Sequence, residues 1–270
     1  MKHYTFTLGH IECTVLCDAH TIIGAVRMMK RFPHIPEADM RHAYIDLDLV
    51  LDEADTSMNI LLLRLGAETV LVDAGEGGRP YGGELRASLA AAGIAPDAIT
   101  TVIITHSHGD HVLGLLTDDA LTFPNARYIM SAEEMAFWRG RLAGDKAEQR
   151  PLVEKLEAAG LRLIAMNDVI LPGVTAVPLP GHTPGHFGLM IESDGARLLH
   201  LADTLHSPAQ FVHPDWSPWF DADTRMSEPT RRAALDKAAD ENVLTLFYHL
   251  TFPGLGRVRR TEAGYRWETF

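Results

Sequence analysis

Short apolar runs recur along this chain, each broken by turn or charged residues, and most of them read as strands. Residues 3 to 17 alternate and predict strands. Ile60 to Leu65 and Thr69 to Val72, turning at Gly66-Ala67, predict a hairpin of buried strands. Thr101 to Thr105 and Ala126 to Met130 continue the series, strands dominate from 161 to 203, and Val243 to Tyr248 is a last run. Between them the spacing turns helical. Gly82 to Ala92 places Leu85 and Leu89 on one face and ends at Gly93. A helix is expected from Val112, another over Ala132 to Arg141, and another over Pro151 to Ala159, closed by Gly160. Pro229 to Ala239 is expected as a helix with Ser227 as its N-cap and Pro229 in its first turn. Residues 20 to 58 have no clean period and predict an extended loop or short helix, serving a pocket wall, a dimer contact or an ordinary surface excursion. No repeat, linker or low-complexity segment interrupts the chain. Strand-rich stretches in each half, separated by helices, predict an α/β (α+β) architecture of two packed sheets with helices outside, in a single domain over 1–270.

Composition narrows the setting. At 270 residues, with 46% apolar and 22% charged positions, the chain has the make-up of a globular protein with a large core. No apolar run approaches the length of a membrane span, and Met1-Lys2-His3-Tyr4 does not open a secretory signal, so a cytoplasmic protein without a membrane partner is expected. A net charge of -12 argues against nucleic acid as a partner, which would need a basic stripe. The two cysteines, Cys13 and Cys17, lie four apart on one strand, roughly 13 Å from each other. That is too far for a disulfide, and reduced thiols are expected.

The densest chemistry is Thr105-His106-Ser107-His108-Gly109-Asp110-His111, directly after an apolar strand. Imidazole and carboxylate donors packed this closely suit divalent transition metals. His106 and His108, two apart, can converge on one ion, while the adjacent Asp110 and His111 diverge from them toward a second. A polar loop rich in histidine is the bland alternative, but chance seldom places this run behind a buried strand. Four further apolar runs also lead into donors: Thr69 to Val72 into Asp73, Val174 to Leu179 into His182, Ala196 to Ala202 into Asp203, and Val243 to Tyr248 into His249. Layered α/β proteins gather their sites at such carboxyl ends.

These residues resemble the metallo-β-lactamase superfamily over nearly the whole chain. The carriers are Leu71-Val72-Asp73-Ala74-Gly75, the run from 106 to 111, Gly181-His182-Thr183-Pro184-Gly185-His186, Asp203 and His249. The resemblance implies a four-layer αββα sandwich with a metal site on one edge. It assigns His106, His108 and His182 to one ion and Asp110, His111 and His249 to the other, with Asp203 bridging both and Asp73 and His186 orienting ligands. Two divalent ions are implied, zinc first, with manganese, iron and cobalt also suited to such donors. Asp203-Thr204-Leu205-His206, Gln210-Phe211, Phe220-Asp221-Ala222-Asp223 and the run from His249 to Gly256 are most similar to the methyl parathion hydrolase branch. Acyl-homoserine lactonases, more distantly similar, carry a tyrosine where this chain has His206. Asp203 in place of a cysteine disfavours a true β-lactamase.

The expected reaction is hydrolysis by a metal-bridging hydroxide attacking a carbonyl carbon or a phosphorus, with Asp110 passing a proton to the leaving group. No G-x-S-x-G elbow offers a competing nucleophile. His206 at the rim and Phe211, Trp216, Trp219 and Phe220 are expected to line an apolar pocket, which favours small neutral esters, lactones or aryl phosphotriesters; for any single aromatic, burial in the core is the favoured reading. Two other readings compete. One is a thioester hydrolase of the glyoxalase II type, or a nuclease. A thioester hydrolase would need a basic cluster for which Arg257, Arg259 and Arg260 are the candidates, although their alternation fits a solvated strand. The other is a non-enzymatic metal-binding member of the fold, whose signature would be a missing ligand; all seven are present.

Overall fold

The computed structural model describes residues 2–78 and 83–269. The strands are β1 (His3–Leu8), β2 (Ile11–Ile22), β3 (Asp55–Leu65), β4 (Glu68–Val72), β5 (Thr101–Ile104), the short pair β6 (Leu116–Thr117) and β7 (Ala120–Leu121), β8 (Arg127–Ser131) and β9 (Arg162–Ile164) in the first part of the chain. The rest are β10 (Val169–Leu171), β11 (Val174–Pro178), β12 (Phe187–Ser193), β13 (Ala196–His200), β14 (Leu244–Leu246), β15 (Leu255–Thr261) and β16 (Gly264–Thr269). They form two seven-stranded sheets, in the orders β1-β2-β3-β4-β5-β8-β9 and β10-β11-β12-β13-β14-β15-β16. The helices are α1 (Gly24–Arg31), α2 (Glu37–Asp46), α3 (Leu85–Ala91), α4 (Gly109–Val112), α5 (Ala132–Arg141), α6 (Arg150–Ala158), α7 (Ala209–Val212) and α8 (Thr224–Asp240).

Side-chain alternation along the strands produces the layers. Leu61 and Leu63 of β3 and Ile103 of β5 face Val174, Leu189, Leu198 and Leu246 of the other sheet in one apolar cluster. Their neighbours Ile60, Leu62, Val102 and Ile104 point outward onto Leu89, Met135, Trp138 and Leu156 of α3, α5 and α6. On the far side Leu199 packs with Leu235 and Ala238 of α8. This is the αββα sandwich, with strands buried on both faces. β4, β5, β8 and β9 run parallel, as do β13 and β14. Parallel neighbours need crossovers, so their carboxyl ends share one rim, and that rim carries Asp73, the 106–111 run, Asp203 and His249.

The structure corrects several expectations. Of the two readings of residues 20 to 58, the short helix holds and the extended loop does not: β2 runs on to Ile22, α1 and α2 follow, and β3 begins at Asp55. Met40, Ala43 and Tyr44 have helical spacing, but they bury against a separate small cluster with Met28, Ala209 and Trp216, so the surrounding charged positions hide the period. The helix expected from Val112 starts at Gly109 and lasts one turn, placing Asp110 and His111 in it. α8 starts at Thr224, because the Asp223 side chain accepts the Arg225 N–H a turn before Ser227; Pro229 therefore lies inside the helix. The helix expected over Gly82 to Ala92 is Leu85–Ala91, and Gly82 lies outside the described residues. Arg257, Arg259 and Arg260 do lie on a strand, β15, which pairs with β16 in a terminal hairpin.

Candidate metal centre

Two groups of four donors meet at the rim: His106, His108, His182 and Asp203, and Asp110, His111, Asp203 and His249, with the ligand atoms of each group within 4.8 Å of one another. Asp203 belongs to both. Its Oδ2 lies 3.1 Å from His249 Nε2 and 3.3 Å from His182 Nε2, and its Oδ1 lies 3.1 Å from His111 Nε2. In the first group His182 Nε2 is 2.8 Å from His108 Nδ1 and 3.2 Å from His106 Nε2. In the second, Asp110 Oδ2 is 3.3 Å from His249 Nε2. Asp203 follows Ala202, whose φ of 41° is the left-handed region an alanine seldom adopts, so the packed rim holds that backbone in place.

In His111, His182 and His249 the ring nitrogen that faces away from the centre is engaged. His111 Nδ1 meets Asp73 Oδ2 at 2.8 Å, His182 Nδ1 meets Asp221 Oδ1 at 2.8 Å, and His249 Nδ1 is 3.2 Å from the Ser57 carbonyl. Asp73 also takes the backbone N–H and hydroxyl of Thr105, and so fixes the start of the histidine run. His186 donates from Nδ1 to the Leu179 carbonyl and accepts the Asp203 N–H at Nε2, 3.2 Å away. Burial, reinforced by His182, pushes His186 down to about 3, so it stays neutral and its Nε2 keeps the lone pair. Partners of this kind set the tautomer and aim of metal ligands.

The electrostatics fit a cation. Burial, then neighbouring imidazoles, hold His106 and His108 well below the usual histidine value, so both present lone pairs. For His111 and His249 burial works downward too, but Asp203 and its fellow carboxylates outweigh it and raise both. Burial opposes charge on Asp203 and Asp110, yet the surrounding histidines hold both carboxyls well below their ordinary range. His111 Nε2 and Asp203 Oδ1 are buried without hydrogen-bond geometry. Buried polar atoms without partners are costly, and a divalent ion between them would satisfy both.

A cavity of about 560 Å³ opens on Asp110, Asp203, His206 and His249. A larger one of about 940 Å³ meets it at Arg31 but touches none of the seven donors. Of the expected pocket residues, His206 and Trp219 line the smaller cavity, with Phe220. His206 Nε2 is 3.1 Å from Asp203 Oδ2, and burial pushes the ring down to about 3, so it is neutral and donates to that carboxylate. Phe211 and Trp216 are corrections. Phe211 is buried against Phe247 and Trp267, and Trp216 stacks on His213 under α1 and α2. Their stretch turns through α7, which directs them inward. Nor is the wall purely apolar: Arg31, Arg141 and Lys146 line it beside Phe137.

Sequence reading missed further residues. Buried Glu134 accepts from the Ser107 N–H and hydroxyl, the Thr183 hydroxyl and the Gly185 N–H, tying the loops of His108 and His182 together. A Cβ on Gly185 would stand 2.1 Å from the Glu134 nitrogen, so only glycine allows this approach. Arg231 holds Asp221 at 3.1 Å, behind His182. Asn59 binds the Phe247 and Leu250 carbonyls around His249. The only sequence signal for Asp221 lay in its neighbours, and Glu134 and Asn59 sit in ordinary helix and strand patterns.

Residues 55–249 match the family described as the metallo-beta-lactamase superfamily. Among curated proteins, the chain is 30% identical over 99 residues to the uncharacterized protein YobT of Bacillus subtilis, which is 35% of this chain and 42% of that protein. It is 30% identical over 158 residues to ribonuclease Z of Thermobifida fusca, covering 54% of this chain and 45% of the other. The chain thus spans less than half the length of these curated relatives. Among solved structures, AidC, a dizinc quorum-quenching lactonase in complex with the product N-hexanoyl-L-homoserine, superposes with a TM-score of 0.87 at 27% identity, over 99% of this chain and 97% of its own. The hydrolase AbOPH, of the beta lactamase superfamily, gives 0.85 at 25% identity, over 100% and 97%.

Proposed function

Because the chain belongs to the metallo-beta-lactamase superfamily, we propose that it is a dinuclear metal-dependent hydrolase of small esters and lactones, with aryl phosphotriesters as a side reaction. The observation that carries this reading is Asp203, one carboxylate shared by two donor groups at the floor of an open cavity. The likeness to a dizinc lactonase over 99% of the chain supports it. When bound, two divalent ions, zinc first, supply Lewis acidity and a nucleophilic water near neutral pH.

The chain's own residues prepare that chemistry. Asp73, Asp221 and the Ser57 carbonyl orient His111, His182 and His249. His206 and His186 steady Asp203 from its side chain and its backbone. Asp110 is held ionised, and 25% of its side chain remains exposed, so it is placed to take the proton that a nucleophilic water gives up and to pass it to a leaving group. Phe220 and Trp219 line the cavity with it. The run Asp203-Thr204-Leu205-His206 resembles the methyl parathion hydrolase branch, and that resemblance supports phosphotriester turnover.

The thioester reading loses its candidate cluster. Arg259 pairs with Glu268 and Arg260 with Asp240, Arg257 bonds to the Asn242 carbonyl, and none of the three lines the cavity. The test is steady-state kcat/KM over an aryl ester, a δ-lactone, a long-chain homoserine lactone, an aryl phosphotriester, a glutathione thioester and a penicillin. The ester or a lactone is expected fastest, with activity abolished by strong chelation. A thioester or penicillin ahead by more than about tenfold, or about 1.4 kcal/mol, overturns the proposal.

A further inference from the structure

The cavity above Asp203 receives three cations, Arg31, Arg141 and Lys146, in a protein whose net charge is -12. Several cations elsewhere in the chain are paired: Arg127 with Glu68, Arg139 with Glu157, Arg197 with Glu241. Arg141 follows this habit, pairing with Asp145 and lying 5.2 Å from the centre of the Phe137 ring. Arg31 and Lys146 do not. The part-buried Arg31 guanidinium reaches only the Thr56 hydroxyl and the His206 carbonyl, each at 3.4 Å, and forms no ion pair among the described residues. The half-buried Lys146 ammonium has neither an ion pair nor a hydrogen bond among them. Burial weakens the charged form of both, in Lys146 with help from Arg141. The carboxylates that act most on Arg31 include Asp110 and Asp203, the two a metal pair would claim. Two desolvated cations with no carboxylate paired to them among the described residues, facing one cavity of ligand size, are an incomplete binding site.

We propose that the substrate carries an anionic group, carboxylate or phosphate, remote from the bond that is cleaved, and that Arg31 and Lys146 hold it while Phe137, Trp219 and Phe220 enclose the rest. This rests on the hydrolase reading and replaces the expectation of a neutral substrate. A bidentate guanidinium and a mobile ammonium suit either anion.

The decisive variant is Lys146→Met, because the Lys146 side chain makes no ion pair or hydrogen bond among the described residues and methionine keeps its apolar stem; Arg31→Met is the second. Isothermal titration of metal-loaded protein would compare glutarate and 3-phosphonopropionate with glutaramate, which keeps one acid and loses the other. At least one of the two diacids is expected to bind ten or more times tighter than glutaramate, the tighter one naming the anion. Lys146→Met is expected to cut that advantage below threefold with metal content unchanged. In kinetics, the kcat/KM ratio of an aryl ester with a terminal carboxylate to its methyl ester is expected to exceed ten and to fall at least fivefold in Lys146→Met. Equal binding of glutaramate and the diacids, or an advantage that survives Lys146→Met, overturns the inference. If no ester is turned over, the hydrolase reading fails, and the titration still decides whether the cavity selects an anion.

Discussion

A single carboxylate carries the centre. Asp203 offers Oδ1 to His111 and Oδ2 to His249 and His182, so losing it should disturb both groups of donors. Asp203→Ala is expected to lower bound metal from about two ions per chain toward none by elemental analysis; two ions retained would refute the sharing. His206 makes a narrower prediction. It donates to Asp203 from the cavity wall, so His206→Ala should keep both ions and lower kcat/KM by about 10–100-fold, the usual cost of losing a partner behind a ligand. An emptied metal position instead would make His206 a ligand, as its grouping with His182 and Asp221 allows.

At the scale of elements, α5 matters more for what it holds than for what it covers. Its Glu134 joins the loop after β5 to the loop after β11. Glu134→Gln keeps the shape but replaces an acceptor oxygen with a donor facing N–H and O–H groups. A loss of about 2 kcal/mol or more in urea unfolding is expected, together with weaker metal binding. An unchanged midpoint would show that the loops stand without it. β2 offers a pH test. Cys13 and Cys17 are free and buried, and burial, aided by neighbouring acids, pushes their thiols to about 12 and about 11. In the unfolded chain they ionise near the ordinary 9.0. Their stabilising contribution is therefore complete below pH 9 and is lost as pH rises toward 11 and 12. Urea midpoints should fall across that window, less steeply in Cys13→Ala, and native thiols should resist alkylation at pH 8.

For the whole molecule, the donors come from both sheets, so metal binding should couple to global stability. Asp73 and the 106–111 run extend β4 and β5 of one sheet, while His182, Asp203 and His249 extend β11, β13 and β14 of the other. An ion held across that seam binds only the folded chain and stabilises it by mass action, about 2.7 kcal/mol at a hundredfold excess over Kd. Chelation should lower the melting temperature and zinc should restore it. A melting temperature indifferent to metal would mean that the two sheets hold the site unaided.

The sequence by itself determined the fold class and brought out seven candidate donors, because strand period and donor spacing are local signals. The apolar runs at 60–65, 101–105 and 174–179 stand where strands are found, and the run from 106 to 111 needs no tertiary context to be noticed. Tertiary structure decided what depends on separated segments meeting. It drew Asp221, Arg231 and Glu134 behind the ligands, although none lies near its partner in sequence. It sent Phe211 and Trp216 into apolar clusters and left Trp219 and Phe220 on the cavity, a sorting that α7 makes and composition cannot. It also brought Arg31 from α1 and Lys146 from beyond α5 to the same wall. Electrostatic surroundings are set by distance through space, and spacing along the chain does not record them.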